Sequence, residues 1–197
     1  MIDPDADEAN EIDDADGADA FDAAARAREA ERLVEAVIFA AAEPVDEADL
    51  AGLVGAAVDL SAILDRLVAR HAGRGVELAR VAGKWQFRTA ADLAVRLARP
   101  VEEPRRLSRA ALETLAVIAY HQPVTRAEIE QVRGVSMSKG TLDTLLEAGW
   151  VRMRGRRRTP GRPLTWGTTE AFLVHFGLDS VRDLPGLEEL KAAGLLE

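Results

Sequence analysis

The chain has 197 residues, a formal net charge of -9 and no cysteine, which excludes disulfides and thiolate metal sites. The longest uncharged run that we find, Thr114 to Thr125, is too short for a membrane span, which needs roughly 18 apolar residues. We therefore expect a cytoplasmic protein without a membrane partner, whose length suits one sizeable core or two small ones.

The N-terminal segment holds most of the excess negative charge. Residues 1–25 carry ten Asp or Glu and no Lys or Arg, which leaves 24 acidic against 25 basic residues for the rest of the chain. So little apolar surface cannot offset the entropy lost on folding, and we predict a disordered acidic tail over residues 1–28. Composition leaves open whether this tail competes with DNA for basic surfaces, improves solubility or has no function.

The sequence then repeats itself with an offset of 79 positions. The stretch "FAAAEPVDEADLAGLVG" (Phe39 to Gly55) aligns with "IAYHQPVTRAEIEQVRG" (Ile118 to Gly134) at the Pro-Val turn, the cap, the apolar pair and the final glycine. A shared spacing of these features indicates two copies of one supersecondary unit.

The first copy has the pattern of three helices and a hairpin. Apolar residues at helical spacing predict helices over 33–41, 50–54 and 60–68, with Asp46 as the cap of the second. The stretches "GVELARV" and "WQFRTA" alternate apolar and polar residues, which is typical of paired strands. We predict an N-terminal winged-helix domain over residues 29–99, followed by a proline-containing linker over residues 100–105.

The second copy carries stronger signals. Pro123 ends its first helix, Thr125 and Glu128 have the spacing of a capping box, and Gly134 suits the left-handed residue that ends the short second helix. Ser138 can cap a third helix, which runs to Gly149.

A hairpin follows these helices. The β-prone stretches "WVRMR" and "LTWGTT" flank "TPGRP", where Pro160 and Gly161 fit the two central positions of a type II turn. We predict a C-terminal winged-helix domain over residues 106–180 and a C-terminal extension over residues 181–197. The fold class is thus mainly α with small β-hairpins (α+β), in two tandem winged helix-turn-helix domains.

The sequence contains no catalytic constellation that we can identify. His71, His121 and His175 lack metal-ligand spacing, and no nucleophile elbow or phosphate-binding glycine loop occurs. We predict a non-enzymatic protein without a metal or cofactor.

Arginines concentrate on the second hairpin. They suit either a solvated hairpin or contact with nucleic-acid phosphates, and the residues alone leave both open. Asp143 and Glu147 on the third helix, like Asp59 and Asp65 on its counterpart, disfavour a helix that reads bases.

Two long stretches of the second half resemble the bacterial segregation and condensation protein B family: "LSRAALETLAVIAYHQPVTRAEIEQVRGV" and "GRPLTWGTTEAFLVHFGL". The resemblance implies a homodimer, formed chiefly through the N-terminal domain, that binds the kleisin subunit bridging the ATPase heads of the chromosome-structuring (SMC) complex. It also implies a role in chromosome condensation and segregation, and a nucleoid-associated location. The family commonly has a tyrosine where this chain has Trp166, which keeps an aromatic platform.

Motif positions divide into structural residues and expected partner contacts. We expect structural roles for Thr125, Glu128, Gly134, Pro160, Gly161, Pro163, Phe172 and Phe176. We expect contacts with kleisin or DNA from Arg126, Arg133, Arg154, Arg156, Arg157, Arg158, Arg162 and Trp166. Arg126, Arg133 and Arg162 are chosen because neither core packing nor helix capping explains them. The alternative function is a winged-helix DNA-binding transcription regulator, which the arginine-rich hairpin favours.

Overall fold

The computed structural model describes residues 8–97 and 107–186. The chain divides into two compact units: the first contains residues up to Ala79 with Trp85–Ala94, and the second contains Arg80–Lys84 with residues from Val95 onward. Three helices and a hairpin occur twice along the chain, which confirms the predicted fold class. The domain boundaries drawn from the sequence stay predictions, and the linker over residues 100–105 lies outside the described residues.

The first copy of the repeat is built around one apolar core. Its elements are α1 (Glu8–Ala40), α2 (Glu47–Val54), α3 (Leu60–His71), β1 (Val76–Val81), β2 (Lys84–Thr89) and α4 (Ala91–Leu97). Val34, Leu50, Ile63 and Leu67 from the three helices are completely buried. Val45, before α2, forms an antiparallel bridge with Trp85 of β2, so the hairpin is attached to the helical core.

Helix α1 is longer than the sequence analysis predicts. It continues back to Glu8, so the prediction of a disordered tail is corrected for residues 8–28, while residues 1–7 lie outside the described residues. Eight of the sixteen residues from Ala15 to Ala30 are alanine, the residue with the highest helix propensity. The prediction weighed charge and low hydrophobicity and gave no weight to this propensity.

Ion pairs attach α1 to α3. Glu31 is buried and accepts hydrogen bonds from Arg70 and, at 2.8 Å, from Nε of Arg66. The Arg66 hydrogen bond is the main cause that lowers the pKa of Glu31, against an opposing effect of burial. One turn further on, Glu35 contacts Nε2 of His71 at 2.9 Å. These contacts on successive turns of α1 fix how α1 and α3 are aligned along their length.

The second copy has the same order of helices and a fuller sheet. Its elements are α5 (Arg109–His121), β3 (Val124–Thr125), α6 (Arg126–Arg133), α7 (Lys139–Glu147), β4 (Val151–Arg156), β5 (Leu164–Thr168) and α8 (Glu170–Phe176), followed by a 3-10 helix at Val181–Asp183. The antiparallel sheet has the order β3-β5-β4, in which Trp166 pairs with Val124 on one side and Met153 on the other. Ile118, Ile129 and Leu145 are fully buried between the helices.

The two copies keep the predicted offset. Helices α2 and α6 begin at Glu47 and Arg126, and α3 and α7 begin at Leu60 and Lys139, so each pair starts 79 positions apart. The sequence analysis missed α4 and β3, which are too short to show a clear period. Ser138 stands at the N-cap of α7, but its hydroxyl contacts Thr141 Oγ1 at 2.7 Å and makes no capping hydrogen bond.

Candidate functional site

The start of α6 is fixed by a complete capping box. The Thr125 side chain accepts a hydrogen bond from the Glu128 backbone at 3.3 Å, and Glu128 Oε2 accepts one from the Thr125 backbone at 2.8 Å. Gly134 ends the helix in the left-handed conformation, at φ 70°. These three predictions are confirmed. The backbone and hydroxyl of Thr125 are the main causes that lower the pKa of Glu128.

The tip of the second hairpin has the predicted turn. Gly161 has the positive φ, 80°, that the third position of a type II turn requires, and the Arg162 backbone donates to Thr159 O at 2.9 Å. The Arg157 backbone donates to Pro163 O at 2.9 Å, which closes the hairpin below the turn. Pro160 and Gly161 are therefore structural residues of the tip.

Six arginines cover this hairpin, and we call them the basic wing: Arg152, Arg154, Arg156, Arg157, Arg158 and Arg162. Arg157 donates to Glu128 Oε2 at 2.8 Å and to Pro123 O at 2.9 Å, so it attaches the wing to the capping box of α6. Arg156 donates to Arg162 O at 3.0 Å. All except Arg157 are exposed.

A glycine gives Arg154 its place on the sheet. A Cβ at Gly167 would lie 2.8 Å from Cγ and Nε of Arg154 and 2.7 Å from Oε1 of Gln122. Arg154 donates across β5 to Thr168 O at 3.3 Å, and Gln122 Oε1 accepts from Thr168 N at 2.8 Å. Sequence reasoning missed Gly167 and Gln122, because a single glycine in a strand gives no sign of which side chain crosses it.

Arg126 and Arg133 have intramolecular roles, which corrects the reasoning that core and cap leave them unexplained. Arg126 donates to Glu130 Oε1 at 3.1 Å and to Met137 O, while Glu130 accepts from Met137 N at 2.9 Å. This exchange holds the loop between α6 and α7. The Arg133 side chain is only 7% exposed and pairs with Glu113 at 3.0 Å, so it offers little surface to a partner.

Three of the motif residues meet around a cavity of about 470 Å³ between α6, α7 and β5. Arg126, Pro163 and Trp166 lie on its walls, beside the apolar side chains of Leu142 and Leu164. The guanidinium of Arg126 is already paired with Glu130, as described above. The cavity thus has both polar and apolar walls, and the charge of Arg126 on its wall is neutralised by Glu130.

A second, apolar groove of about 350 Å³ lies between α5, α8 and the segment after α8. Its mouth exposes Leu112 (51%), Tyr120 (44%) and Phe176 (47%), and the Tyr120 hydroxyl donates to Pro185 O at 2.7 Å. We call it the apolar groove. Its walls contain no charged residue and comprise Leu112, Leu115, Ala116, Ala119, Tyr120, Phe172, Phe176, Leu178, Leu184 and Pro185.

The sequence analysis did not identify this groove, although it named two of its residues, Phe172 and Phe176, as structural. Phe172 is buried at the floor and its ring centroid lies 4.7 Å from that of Phe176. The available signal was on α5, where Leu112, Ala116 and Tyr120 recur every four residues beside the buried Leu115 and Ile118. A helix with two apolar faces needs a second partner for the outer one.

The described ranges contain no group of three His, Cys, Asp or Glu side chains placed to hold a metal ion. Within the same ranges, no helix has the length and hydropathy to cross a membrane. The candidate sites are therefore the apolar groove, the mixed cavity and the basic wing.

Comparison with known proteins decides the family. The family model described as "Segregation and condensation complex subunit ScpB" matches residues 32–187. This chain belongs to that family. It is 44% identical to segregation and condensation protein B of Moorella thermoacetica, over 81% of this chain and 84% of the relative, and 44% identical to that of Syntrophotalea carbinolica, over 82% and 83%.

Among solved structures, ScpB from Mycobacterium tuberculosis is 34% identical to this family member, covering 77% of this chain and 97% of that one with a TM-score of 0.35. The family match begins in α1, spans both copies of the repeat and ends after the 3-10 helix. The predicted membership, made from motifs in the second copy, is confirmed.

Proposed function

We propose that this ScpB family member is a non-enzymatic accessory subunit of the SMC–kleisin complex, and that it binds the kleisin subunit at the apolar groove. The complex would act in chromosome condensation and segregation at the nucleoid. The observation that carries the proposal is the groove itself: a concave surface without a charged wall, beside three large side chains that are 44% to 51% exposed. Such surfaces on a soluble protein mark contacts with other molecules.

The groove favours apolar side chains presented by a peptide. Leu112 and Tyr120 lie eight residues apart on α5 and both line the groove, so a segment lying along this helix could bury several anchors. At one end, Arg109 is 95% exposed and pairs with Glu113 on the same helix. Charged residues at the edge of a protein interface set orientation more than affinity, so we expect this pair to affect orientation rather than affinity.

The first copy of the repeat would supply the homodimer contact. Phe39 at the end of α1 is 77% exposed and Leu53 on α2 is 44% exposed, although both lie beside a well-formed core. Sedimentation of the full chain at about 1 to 100 µM tests this, because an interface of standard size commonly gives a Kd of micromolar or lower. If the wild type and Phe39→Asp both sediment as monomers at all these concentrations, the dimer is excluded.

Calorimetric titration of purified kleisin into the full chain tests the partner. We expect saturable binding whose affinity changes little between about 50 and 300 mM salt, because apolar burial is only weakly screened. Absence of heat and of co-elution at tens of micromolar would refute the proposal.

The second candidate, a DNA-binding regulator, is favoured by the basic wing. A protein that neutralises several phosphates loses affinity steeply as salt rises, by orders of magnitude over this range. DNA binding that weakens as salt rises, together with no kleisin binding at any salt concentration, would favour the regulator.

A further inference from the structure

One arginine of the basic wing, Arg154, is set apart by the shape of the strand that carries it. The pairing of β4 with β5 shifts between Met153 and Gly155, so Arg154 is the extra residue of a β-bulge. Gly155 follows it with φ 123°, a conformation that favours glycine. A bulge redirects a side chain relative to its neighbours and is common beside functional sites. The backbone of β4 thus gives Arg154 a direction different from that of its neighbours.

Contacts with β5 and with the residue after α5 hold the Arg154 side chain in this direction. It crosses Gly167, where a Cβ would lie 2.8 Å from its Cγ and Nε. Beside it, the amide of Gln122 is fixed at both ends, because Nε2 donates to Thr168 Oγ1 at 2.9 Å and Oε1 accepts from Thr168 N at 2.8 Å. A side chain already held in one conformation loses less entropy when it binds a partner.

The guanidinium of Arg154 keeps most of its donors available. Within residues 8–97 and 107–186 it makes one hydrogen bond, to Thr168 O at 3.3 Å, and pairs with no carboxylate. It lines an open cavity of about 470 Å³ together with Gln122, Pro123 and Val181, and we call this the Arg154 cavity. Arg154 is the only charged residue among these four. Because guanidiniums bind carboxylates and phosphates through two parallel hydrogen bonds, the cavity suits a small anionic group.

The same two segments of chain line the Arg154 cavity and the apolar groove. At the end of α5, Tyr120 lines the groove and Gln122, two residues later, lines the cavity. After α8, Val181 lines the cavity and Leu184, three residues later, lines the groove. An extended peptide covers about 3.3 Å per residue, so a segment in the groove that continues past the end of α5 reaches the cavity within a few residues.

A carboxylate of a peptide suits this cavity better than a phosphate of a nucleic acid. Pro123 and Val181 make part of the wall apolar, which matches the methylene groups that carry the carboxylate of Asp or Glu. Phosphates of a duplex lie on a convex surface and pair with exposed arginines without a cavity. Such a partner would use Arg152 and Arg158 as readily as Arg154.

We propose that the Arg154 cavity binds the carboxylate of an acidic side chain that lies beside the apolar anchors of the kleisin segment. This inference rests on the proposed function, in which kleisin occupies the apolar groove. The groove supplies affinity through apolar burial. Arg154 selects segments with an Asp or Glu next to their anchors, and it sets the direction in which the segment lies.

Calorimetric titration of the full chain with purified kleisin measures the contribution of Arg154. Arg154→Gln should weaken binding by at least about five-fold, because it removes a charge-assisted hydrogen bond. Arg152→Gln, the matched control, changes an exposed arginine on the same strand that does not line the cavity, and should leave the Kd unchanged. Gly167→Ala keeps the charge but displaces the Arg154 side chain, so it should also weaken binding. Equal Kd values for wild type and Arg154→Gln, or equal losses in both arginine variants, would overturn the proposal.

NMR titration with N-acetylglutamate α-amide at constant ionic strength tests the cavity without kleisin. Saturable shifts of the Gln122 side-chain amide and the Thr168 backbone amide are expected in wild type and Arg152→Gln, and no such shifts in Arg154→Gln. The uncharged N-acetylglutamine α-amide should produce none. Shifts with inorganic phosphate but not with the glutamate compound, or shifts that persist in Arg154→Gln, would overturn the carboxylate site. Absence of kleisin binding to the wild type would instead refute the proposed function, and the NMR shifts would then decide the carboxylate site separately.

Discussion

Helices α2 and α6 occupy equivalent positions in the two copies of the repeat, and each has eight residues. Their buried contacts match, because Leu50 and Ile129 are both 0% exposed. Their ends do not match. Helix α6 has a full capping box and a left-handed glycine, whereas Asp46 makes no capping hydrogen bond and Gly55, at φ 76° and ψ 166°, lies outside the left-handed helical region.

The two copies thus share the buried apolar residues that form the core of the repeat, whereas the polar residues at the helix ends differ between them. In the second copy, Glu128 belongs both to the cap and, through Arg157, to the basic wing. A single carboxylate thereby couples the start of α6 to the hairpin. In the first copy the ion pairs of the buried carboxylate Glu31 lie elsewhere, between α1 and α3. Each copy can thus vary its surface without losing its core.

The largest expected effect tests the shared core. Leu50→Ala and Ile129→Ala should each lower the free energy of unfolding by about 2 to 5 kcal/mol, through lost burial and the cavity left behind. Urea denaturation measures this. Val132→Ala on α6, at a side chain that is 53% exposed, is the control and should change stability by about 0.5 kcal/mol or less. A large loss at only one of the two buried positions would break the comparison.

A second prediction concerns a feature of the second copy alone. Gly167→Ala should cost about 1 to 3 kcal/mol, because Arg154 and the Gln122 amide must move away from Thr168 to admit a methyl group. Val45 pairs with Trp85 in the first copy as Val124 pairs with Trp166 in the second, so the residue equivalent to Gly167 is Gln86, and the first hairpin has no glycine at this place. Gly52→Ala in α2, where the added Cβ meets open space, should instead stabilise by about 0.5 to 1 kcal/mol. Similar changes in the free energy of unfolding for Gly167→Ala and Gly52→Ala would contradict this packing.

The caps give a smaller and directional prediction. Thr125→Ala should lower the free energy of unfolding by about 1 kcal/mol, since it removes the side-chain acceptor of the capping box. Asp46→Ala should have a smaller effect, because Asp46 makes no capping bond. Thermal and urea unfolding of both variants measure the difference. Equal losses would show that the two helix starts are equivalent after all.

The smallest expected effect is a pH dependence. The folded state lowers the pKa of Glu31 through Arg66 and that of Glu128 through Thr125, so their stabilisation is present above the unfolded pKa of about 4.3. It is lost as pH falls through the lower folded pKa. Glu31→Gln and Glu128→Gln should each flatten the fall in stability between about pH 5 and pH 3. An unchanged slope in both variants would contradict the roles of these two carboxylates.

Much of the second copy could be predicted from its sequence, because its signals are local. A capping box, a helix-ending glycine and a Pro-Gly turn each depend on residues within four positions, and Thr125, Gly134 and Gly161 behave as predicted. Two kinds of feature could not. Arg133 pairs with Glu113 on another helix, and Arg126 donates to the Met137 carbonyl eleven residues on. The apolar groove forms only when α5, α8 and the chain after α8 come together.

The helical continuation of α1 shows a different limit. Its charge predicts disorder and its alanines favour a helix, and weighing charge alone chose the wrong conformation for residues 8–28. A composition rule fails where two opposing local tendencies are both strong.

The groove can be tested most directly by two matched charge insertions. Leu112 at the groove and Val132 on α6 are exposed to nearly the same extent, 51% and 53%, but only Leu112 lines the groove. In calorimetric titrations with kleisin, Leu112→Glu should weaken binding by at least about ten-fold, since it buries a charge in an apolar contact, while Val132→Glu should leave the Kd unchanged. Equal affinities of wild type and Leu112→Glu, with both proteins folded, would contradict kleisin binding at this site.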